Sequence, residues 1–286
     1  MVLKKTIIRA LGEIEMEDKT DSYVSKPPNM CVPIYDGTAL EHDDGVNAFI
    51  GTGILIGYGG RLLLVTAWHC LNNHPIIAVG GFSPPLLMSR RSRNKIITKP
   101  ALDLDFIDLG RFSEFPKSNS FQCITWSSVS LTTPHVRSAY CRLFGYPAEK
   151  NLAEIAKVSL NANLTIVDVA EDINVLKHAQ FSEIALQKKY YIGLRYDPRL
   201  LQPLNRKGPK IKAFNGFSGG PIWRLGEEET FNFTGIMIEC HSTYPTSHGE
   251  YILYGINVLG IDLLLKERFP DLNLHSTCEQ TDIRFS

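Results

Sequence analysis

The sequence predicts an all-β protein, a barrel or a sandwich, with one late helix. Short apolar stretches of four to eight residues, separated by Gly, Pro, Asn and Ser, recur along the 286 residues and are typical of strands in such folds. Residues 49–57 and 61–67 flank a turn at 58–60 whose two glycines tolerate the positive φ angles of a tight hairpin. The clearest helix is predicted at 257–268, with Pro270 soon after its end. Its apolar residues fall on one face: Val258, Ile261, Leu264 and Leu265. Further strands are predicted at 76–79, 106–109, 136–144, 156–167, 190–194, 231–240 and 251–256.

A polar, proline-terminated stretch at 127–134 predicts a boundary between two halves of the chain. We expect a first β-unit at 31–130 and a second at 131–269, which includes the helix. Residues 1–30 are expected to form an N-terminal appendage, and residues 270–286 a C-terminal tail.

The charge balance argues against nucleic acid and membrane surfaces as partners. Thirty Lys and Arg residues balance thirty Asp and Glu residues, so the net charge attracts neither. A basic run at 90–99 lacks interleaved aromatic residues and is interpreted as a solvated loop. No apolar run reaches the roughly 18 residues that a membrane helix needs.

The cysteines and the N-terminus favour a cytoplasmic protein with reduced thiols. The six cysteines are scattered, without a CxxC pair or a Cys/His spacing typical of metal ligands. We therefore predict neither a metal site nor a cofactor. The N-terminal apolar stretch is interrupted by Arg9 and followed by acidic residues, which does not fit an export signal.

Residues 51–71, GTGILIGYGGRLLLVTAWHCL, predict a hairpin that leads into a histidine. The second strand runs into His69, which would place its imidazole at the end of a rigid element. An unperturbed histidine has a pKa of about 6.5 and can accept and return a proton near neutral pH. His69 is therefore the candidate general base.

Residues 212–223, KAFNGFSGGPIW, supply a candidate nucleophile, Ser218. A serine needs a base to remove its proton, and the oxyanion that develops needs hydrogen-bond donors. Glycine at 216 lets the backbone bend so that the amides of Gly216 and Ser218 can converge on one oxygen. Such a donor stabilises a transition state by roughly 3–4 kcal/mol. These two amides are the predicted oxyanion hole.

Residues 103–110, DLDFIDLG, carry the acids that could complete the site. A carboxylate buried against the histidine fixes the imidazole tautomer and stabilises the imidazolium. Asp103, Asp105 and Asp108 all compete for this role.

These segments, in the order His, Asp, Ser, resemble the trypsin-like (chymotrypsin-fold) serine peptidases. TAWHC at 66–70 is similar to the family's T-A-A-H-C block around its catalytic histidine, and GFSGGP at 216–221 to its G-[D/N]-S-G-G-P block around the nucleophile. GTG at 51–53 and GYP at 145–147 resemble further blocks, the latter typical of bacterial intracellular and periplasmic members. The resemblance covers roughly residues 45–268, in discrete blocks.

The resemblance implies two six-stranded antiparallel β-barrels with a C-terminal helix. The first barrel, at 31–130, would carry the histidine and the aspartate, and the second, at 131–269, the serine and the oxyanion hole. The implied activity is that of a serine endopeptidase, which hydrolyses a protein or peptide through an acyl-enzyme intermediate.

Alignment with the family favours Asp103 as the acid of the triad. With Asp103 at the family's position, the apolar residues of 106–109 fall at its apolar positions, although Asp105 then stands where the family keeps a small residue. With Asp105 there instead, Asp108 and Arg111 would occupy apolar positions. Asp105 stays open as the alternative, and Asp108 ranks third.

Two departures from the family pattern also lead to expectations. Ile54 stands where extracellular members have the cysteine that pairs with Cys70, so Cys70 is expected to be a buried free thiol. Phe217 replaces the aspartate that captures a newly cut N-terminus in trypsin, so activation through that salt bridge is not expected.

The substrate pocket is assigned by alignment from the serine. Its floor would lie near Lys212 and its far wall near Glu239, Cys240 and His241. Lys212 favours an acidic substrate side chain, unless Glu239 neutralises it.

The same residues are compatible with two other functions. One is a catalytically silent peptidase-fold module that binds or scaffolds a partner, and the other is an esterase with the same triad. The joint presence of His69 and Ser218 favours an enzyme, because inactive relatives usually lose one of the two. The long segment between the aspartate and serine blocks would suit a regulatory protein partner.

Overall fold

Thirteen strands and four α-helices make up the part of the chain that the structure, a computed structural model, describes. The described residues are 30–41, 48–82, 86–89, 102–111, 122–131, 138–148, 164–177, 188–197, 214–225, 231–241 and 251–272. The strands are β1 (Cys31–Asp36), β2 (Phe49–Tyr58), β3 (Arg61–Ala67), β4 (Ile76–Val79), β5 (Leu86–Ser89), β6 (Leu104–Arg111), β7 (Ile124–Thr125), β8 (Ser138–Gly145), β9 (Thr165–Asp172), β10 (Tyr191–Tyr196), β11 (Pro221–Leu225), β12 (Phe231–His241) and β13 (Tyr251–Asn257). The helices are α1 (Gly37–Glu41), α2 (His69–Asn72), α3 (Ile173–Lys177) and α4 (Val258–Arg268), with 3-10 turns at Trp126–Ser128 and Lys188–Tyr190.

The first half is one curled sheet built around the predicted hairpin. β2 and β3 pair from Ile54↔Val65 to Tyr58↔Arg61, and the turn between them has two glycines with φ of +55° and +77°, which glycine adopts without steric cost. The strand order is β5-β4-β1-β2-β3-β6, and β7 joins β2 in parallel. In the described residues this sheet of seven strands does not close, so the expected first barrel is a half-barrel here.

The second half is the closed six-stranded barrel expected from the resemblance. Its strands follow the order β10-β13-β12-β11-β8-β9, and each described pairing is antiparallel. Alternate residues of β8 and β9 point inward, so Cys141, Leu143 and Val169 are fully buried in its core. The fold class predicted from the sequence is confirmed. The change of sheet falls between Thr125 and Ser138, an interval that contains the predicted boundary at 130.

A shared apolar core joins the halves. It contains Leu63 and Val65 from β3 together with Ile236 from β12 and Ile256 from β13, all fully buried. Burial of apolar surface contributes roughly 25 cal/mol of stabilising free energy per Å² removed from water and is the main source of stability for such a contact. The two halves are therefore held together by packed side chains.

Helix α4, at the end of the second half, contacts β6 of the first half. Asn257 caps it, because its side-chain oxygen accepts hydrogen bonds from the amides of Leu259 (3.0 Å) and Gly260 (3.1 Å); such a cap contributes about 1 kcal/mol. Ile261 and Leu265 bury the apolar face that the sequence predicted. At its end, the Arg268 side chain forms an ion pair with Asp105 of β6. No helix in the described ranges is both long enough and apolar enough to cross a membrane.

We expect the protein to contain no structural disulfide. The five cysteines in the described part of the chain are free, and Ile54, opposite Cys31 in the β1–β2 pairing, offers Cys70 no thiol partner. Alkylation of the denatured but unreduced protein, followed by mass spectrometry, should find six modified thiols. A stoichiometric disulfide at Cys70 would contradict this prediction.

Candidate active site

His69 and Asp103 form a directly hydrogen-bonded pair where β3 ends and β6 begins. His69 is the first residue of the short helix α2, directly after β3 and Trp68. Its Nδ1 lies 2.8 Å from Asp103 Oδ2. The two side chains are 46% and 22% exposed, so the carboxylate is the more enclosed partner and the imidazole is in contact with solvent. This geometry leaves Nε2 of His69 as the nitrogen that can meet a second group.

The backbone around Asp103 fixes the carboxylate in place. Asp103 has a φ of +49°, a left-handed conformation that costs most residues about 1–2 kcal/mol but that Asp and Asn adopt more readily. Its carbonyl accepts a hydrogen bond from the amide of Trp68 (2.9 Å), and its Oδ1 accepts one from the amide of His69 (3.2 Å). One aspartate therefore holds both the ring and the start of α2. This backbone conformation was not predicted from the sequence.

The other two candidate acids form ion pairs with arginines. Asp105 forms its ion pair with Arg268 and also accepts a hydrogen bond from the amide of Phe106 (2.8 Å). Asp108 lies 2.6 Å from the Arg61 side chain. Of the three aspartates, Asp103 is therefore the one that contacts His69.

Ser218 lies on a tight loop, residues 214–220, which we call the oxyanion loop. Gly216 and Gly219 have φ of +93° and +89°, a region in which a side chain would be strained. Gly219 is enclosed as well, since an added Cβ would clash with the carbonyl oxygen of Thr52. Ser218, between the two glycines, is half-buried.

The amides of Gly216 and Ser218, the predicted oxyanion-hole donors, differ from the other amides of the oxyanion loop in their hydrogen bonding. Within the loop, the amides of Phe217 and Gly220 donate to Phe214 O (3.0 Å) and Phe217 O (2.8 Å), and the amide of Gly219 donates to Met237 O (2.7 Å). Among the described residues, neither the amide of Gly216 nor that of Ser218 donates a backbone hydrogen bond. These are the two donors that the sequence predicted.

Cys70 connects the oxyanion loop to the segment that carries His69. The Cys70 thiol, next in sequence to His69, lies 4.0 Å from the carbonyl oxygen of Ser218, and it is buried. Among the described residues no hydrogen bond joins the Ser218 hydroxyl to the imidazole.

Phe217 anchors the oxyanion loop in the second barrel. Its side chain is fully buried, with its ring centroid 5.3 Å from that of Phe214. Phe214 in turn packs against Tyr196 and Tyr251, each at 5.2 Å. An apolar anchor thus occupies the position where trypsin has an aspartate, and the sequence signal for it was the unusual GFSGGP block.

The residues expected to bind substrate lie on β12 or outside the described residues. The pairing of β12 with β11 ends at Ile236, and a register shift follows between Met237 and Glu239. Glu239 and Cys240 are half-buried beyond that shift. Burial, and after it the charge of Glu239, raises the pKa of the Cys240 thiol, which keeps it protonated and unreactive at neutral pH. Lys212 and the His241 side chain lie outside the described residues.

Electrostatics around His69 favour its protonated form. Burial alone lowers the pKa of His69, but the hydrogen bond with Asp103 and the neighbouring Cys70 side chain raise it by more. The resulting pKa lies above the ordinary value of 6.5. A carboxylate at hydrogen-bond distance stabilises an imidazolium in this way, as a general base requires after it has accepted a proton.

Comparison with known proteins shows the fold but gives no match at the level of sequence families. No protein-family model and no curated protein matches the chain. Among solved structures, kallikrein-related peptidase 10 superposes with a TM-score of 0.51 at 13% identity, over 85% of this chain and 96% of that one. The serine endoprotease from Yersinia pestis superposes with a TM-score of 0.51 at 13% identity, over 90% of this chain and 69% of that one. The chain thus has the fold of the trypsin-like serine proteases.

Proposed function

We propose that the protein is a serine endopeptidase with His69, Asp103 and Ser218 as its triad. The observation that carries the proposal is the 2.8 Å contact between His69 Nδ1 and Asp103 Oδ2. Close to it lies a loop with a serine and two amides that donate no backbone hydrogen bond within the described residues. The fold, shared with serine proteases, supports it as well. We assign the oxyanion hole to the amides of Gly216 and Ser218, and part of the substrate-binding wall to Glu239 and Cys240.

Each residue has one task in the proposed reaction. Ser218 Oγ attacks the carbonyl carbon of the scissile bond while His69 Nε2 takes the hydroxyl proton. The carbonyl oxygen becomes an oxyanion and accepts hydrogen bonds from the amides of Gly216 and Ser218. His69 then gives the proton to the leaving amine, which breaks the carbon–nitrogen bond and leaves an acyl-enzyme. Water, deprotonated by His69, hydrolyses this ester and restores Ser218.

The Ser218 hydroxyl meets the imidazole in the complex with substrate. Catalytic hydrogen bonds are often long in the free enzyme and shorten when substrate binds. Asp103 keeps the ring oriented in the meantime, since it holds both Nδ1 and the amide of His69. The proposed reaction therefore requires the Ser218 hydroxyl to approach Nε2 when substrate binds.

The proposal extends to the substrate, a partner and the compartment. We assign a protein or peptide as substrate and leave a regulatory protein partner as a further proposal, on the basis of the long segment between the aspartate and serine blocks. The free thiols of the described cysteines support a reducing compartment such as the cytoplasm. Lys212 stays the proposed floor of the pocket.

The activity should rise with pH, with a midpoint above pH 6.5. Only the neutral imidazole accepts a proton, and the pKa of His69 is raised above 6.5, so more of the enzyme is inactive at neutral pH than with an unperturbed histidine. In Asp103→Asn the carboxylate that raises this pKa is gone, so the rise of the residual activity should move to lower pH. The pH profile of kcat/KM measures both, and a wild-type midpoint below pH 6.5 would contradict the assignment.

A peptide library tests the proposed function against its alternatives. The purified protein is incubated with a library of diverse peptides and, separately, with an activated ester, and the products are identified by mass spectrometry. The control is a double variant, His69→Ala with Ser218→Ala, purified in the same way to reveal contaminating proteases. Cleavage of internal peptide bonds by the wild type alone is the expected result. Ester hydrolysis without peptide cleavage would favour an esterase, and retention of uncut peptides would favour a binding module.

A further inference from the structure

We propose that Thr52 is a positioning residue that clamps the oxyanion loop to the strand hairpin leading to His69. Thr52 lies in β2, in the first half of the chain, and is fully buried. The oxyanion loop lies in the second half, more than 160 residues later. The catalytic part of this inference rests on the proposed peptidase activity.

Two hydrogen bonds from Thr52 restrain the two residues assigned to the oxyanion hole. The backbone amide of Thr52 donates to the carbonyl oxygen of Ser218 at 2.9 Å. Its hydroxyl donates to the carbonyl oxygen of Gly216 at 2.7 Å. A single residue therefore holds the carbonyl groups of both residues whose amides would bind the oxyanion.

Thr52 also connects this loop to the histidine strand and to the second barrel. Its carbonyl oxygen accepts a hydrogen bond from the hydroxyl of Thr66 (2.7 Å), and Thr66 is three residues before His69 on β3. Its own hydroxyl oxygen accepts a hydrogen bond from the amide of Tyr146 (3.0 Å). The hydroxyl thus acts as donor and acceptor at once, which no apolar residue of the same shape can do.

The oxyanion loop needs such restraints because glycine, which has no side chain, leaves the backbone dihedral angles at position 216 poorly restricted. Gly216 has a φ of +93°, and the peptide groups on both sides of a glycine rotate more freely than elsewhere. The peptide group before it is held by the hydrogen bond from Ala148 N to Asn215 O (2.9 Å). The peptide group after it is held by the Thr52 hydroxyl. The bond from Ala148 holds the peptide plane that carries the Gly216 amide, and the bond from Thr52 keeps the next plane from rotating about the glycine. Oxyanion stabilisation depends on donors aimed in advance.

Three variants separate the clamp from ordinary packing. Thr52→Val keeps the shape and removes the hydroxyl, and Thr52→Ser restores the hydroxyl. The matched control is Thr234→Val, which removes another buried threonine hydroxyl, one that donates to Asn232 O (3.0 Å) within β12. Two measurements are made on each full-length variant: hydrogen–deuterium exchange of peptides covering 214–220, and the second-order rate of labelling by a fluorophosphonate.

We expect Thr52→Val alone to loosen the loop. Exchange in 214–220 should become about tenfold faster, as expected for the loss of one hydrogen bond, and labelling about 10- to 100-fold slower. Thr52→Ser should stay within about threefold of the wild type in both measurements, as should Thr234→Val.

Each of the two measurements can contradict a different part of the proposal. Unchanged exchange in 214–220 of Thr52→Val, or an equal acceleration in Thr234→Val, overturns the clamp. Faster exchange with an unchanged labelling rate overturns its role in positioning the donors. A wild-type protein that resists labelling contradicts the proposed peptidase, and the exchange comparison then still decides whether Thr52 holds the loop.

Discussion

We expect Ser218→Ala to abolish peptide hydrolysis and to leave the fold intact. Without Oγ no acyl-enzyme forms, and loss of the nucleophile in a serine protease lowers kcat on the order of 10⁶-fold. Ser218 is half-buried on the oxyanion loop, and its carbonyl, which alanine retains, accepts the hydrogen bond from Thr52. Steady-state hydrolysis and thermal unfolding measure the two effects, and we expect a Tm within about 2 °C of the wild type.

Comparing the hydrolytic activity of Ser218→Ala with its Tm separates a catalytic role of the serine from a structural one. Full hydrolytic activity in the purified Ser218→Ala protein would rule out Ser218 as nucleophile. A large loss of Tm would instead mean that the serine hydroxyl has a structural role. The control for contaminating activity is the double variant that also lacks the His69 side chain.

Asp103→Asn should lower kcat by about 10⁴-fold, because the amide favours the wrong imidazole tautomer. Asparagine has nearly the same shape and also tolerates the left-handed backbone that residue 103 adopts. The substitution therefore tests the charge and leaves the geometry. Binding of a substrate-like inhibitor should change far less than kcat, since the carboxylate acts on proton transfer.

Asp105→Asn is the matched control for this prediction. It makes the same chemical change two residues away, on the side chain that pairs with Arg268. We expect at most a tenfold loss of kcat, together with a loss of roughly 1–3 kcal/mol in the free energy of unfolding, since the ion pair is largely enclosed. Asp108→Asn should be nearly silent in kcat. An inactive Asp105→Asn protein and an active Asp103→Asn protein would place the triad acid at 105.

Local patterns in the sequence were enough to predict most of the fold. The glycine pair at 59–60 indicated the β2–β3 hairpin, and the apolar face of 257–268 indicated α4. Alignment of 103–109 with the trypsin-like family favoured Asp103, the aspartate that lies 2.8 Å from His69. For the hairpin and the helix, neighbours in sequence determine the local structure, so the pattern carries the information.

The features that were missed depend on contacts between distant segments. The ion pair of Asp105 joins residues 163 positions apart, and the hydroxyl of Thr52 meets Gly216 across 164 positions. No local period encodes such pairs. The expected closure of the first barrel also depends on how sheet edges meet, and that half is an open sheet in the described residues. The sequence offered only the GTG at 51–53 as a signal for Thr52.

Labelling with a fluorophosphonate tests the central claim most directly. The reagent bonds covalently to a serine only when a base activates the hydroxyl and donors stabilise the charged phosphorus oxygens. The folded wild-type protein should gain one adduct, which peptide mass spectrometry should locate at Ser218, and His69→Ala should gain none. A folded wild-type protein that stays unlabelled, or that carries its adduct on another residue, would contradict the assignment of His69, Asp103 and Ser218 as a working triad.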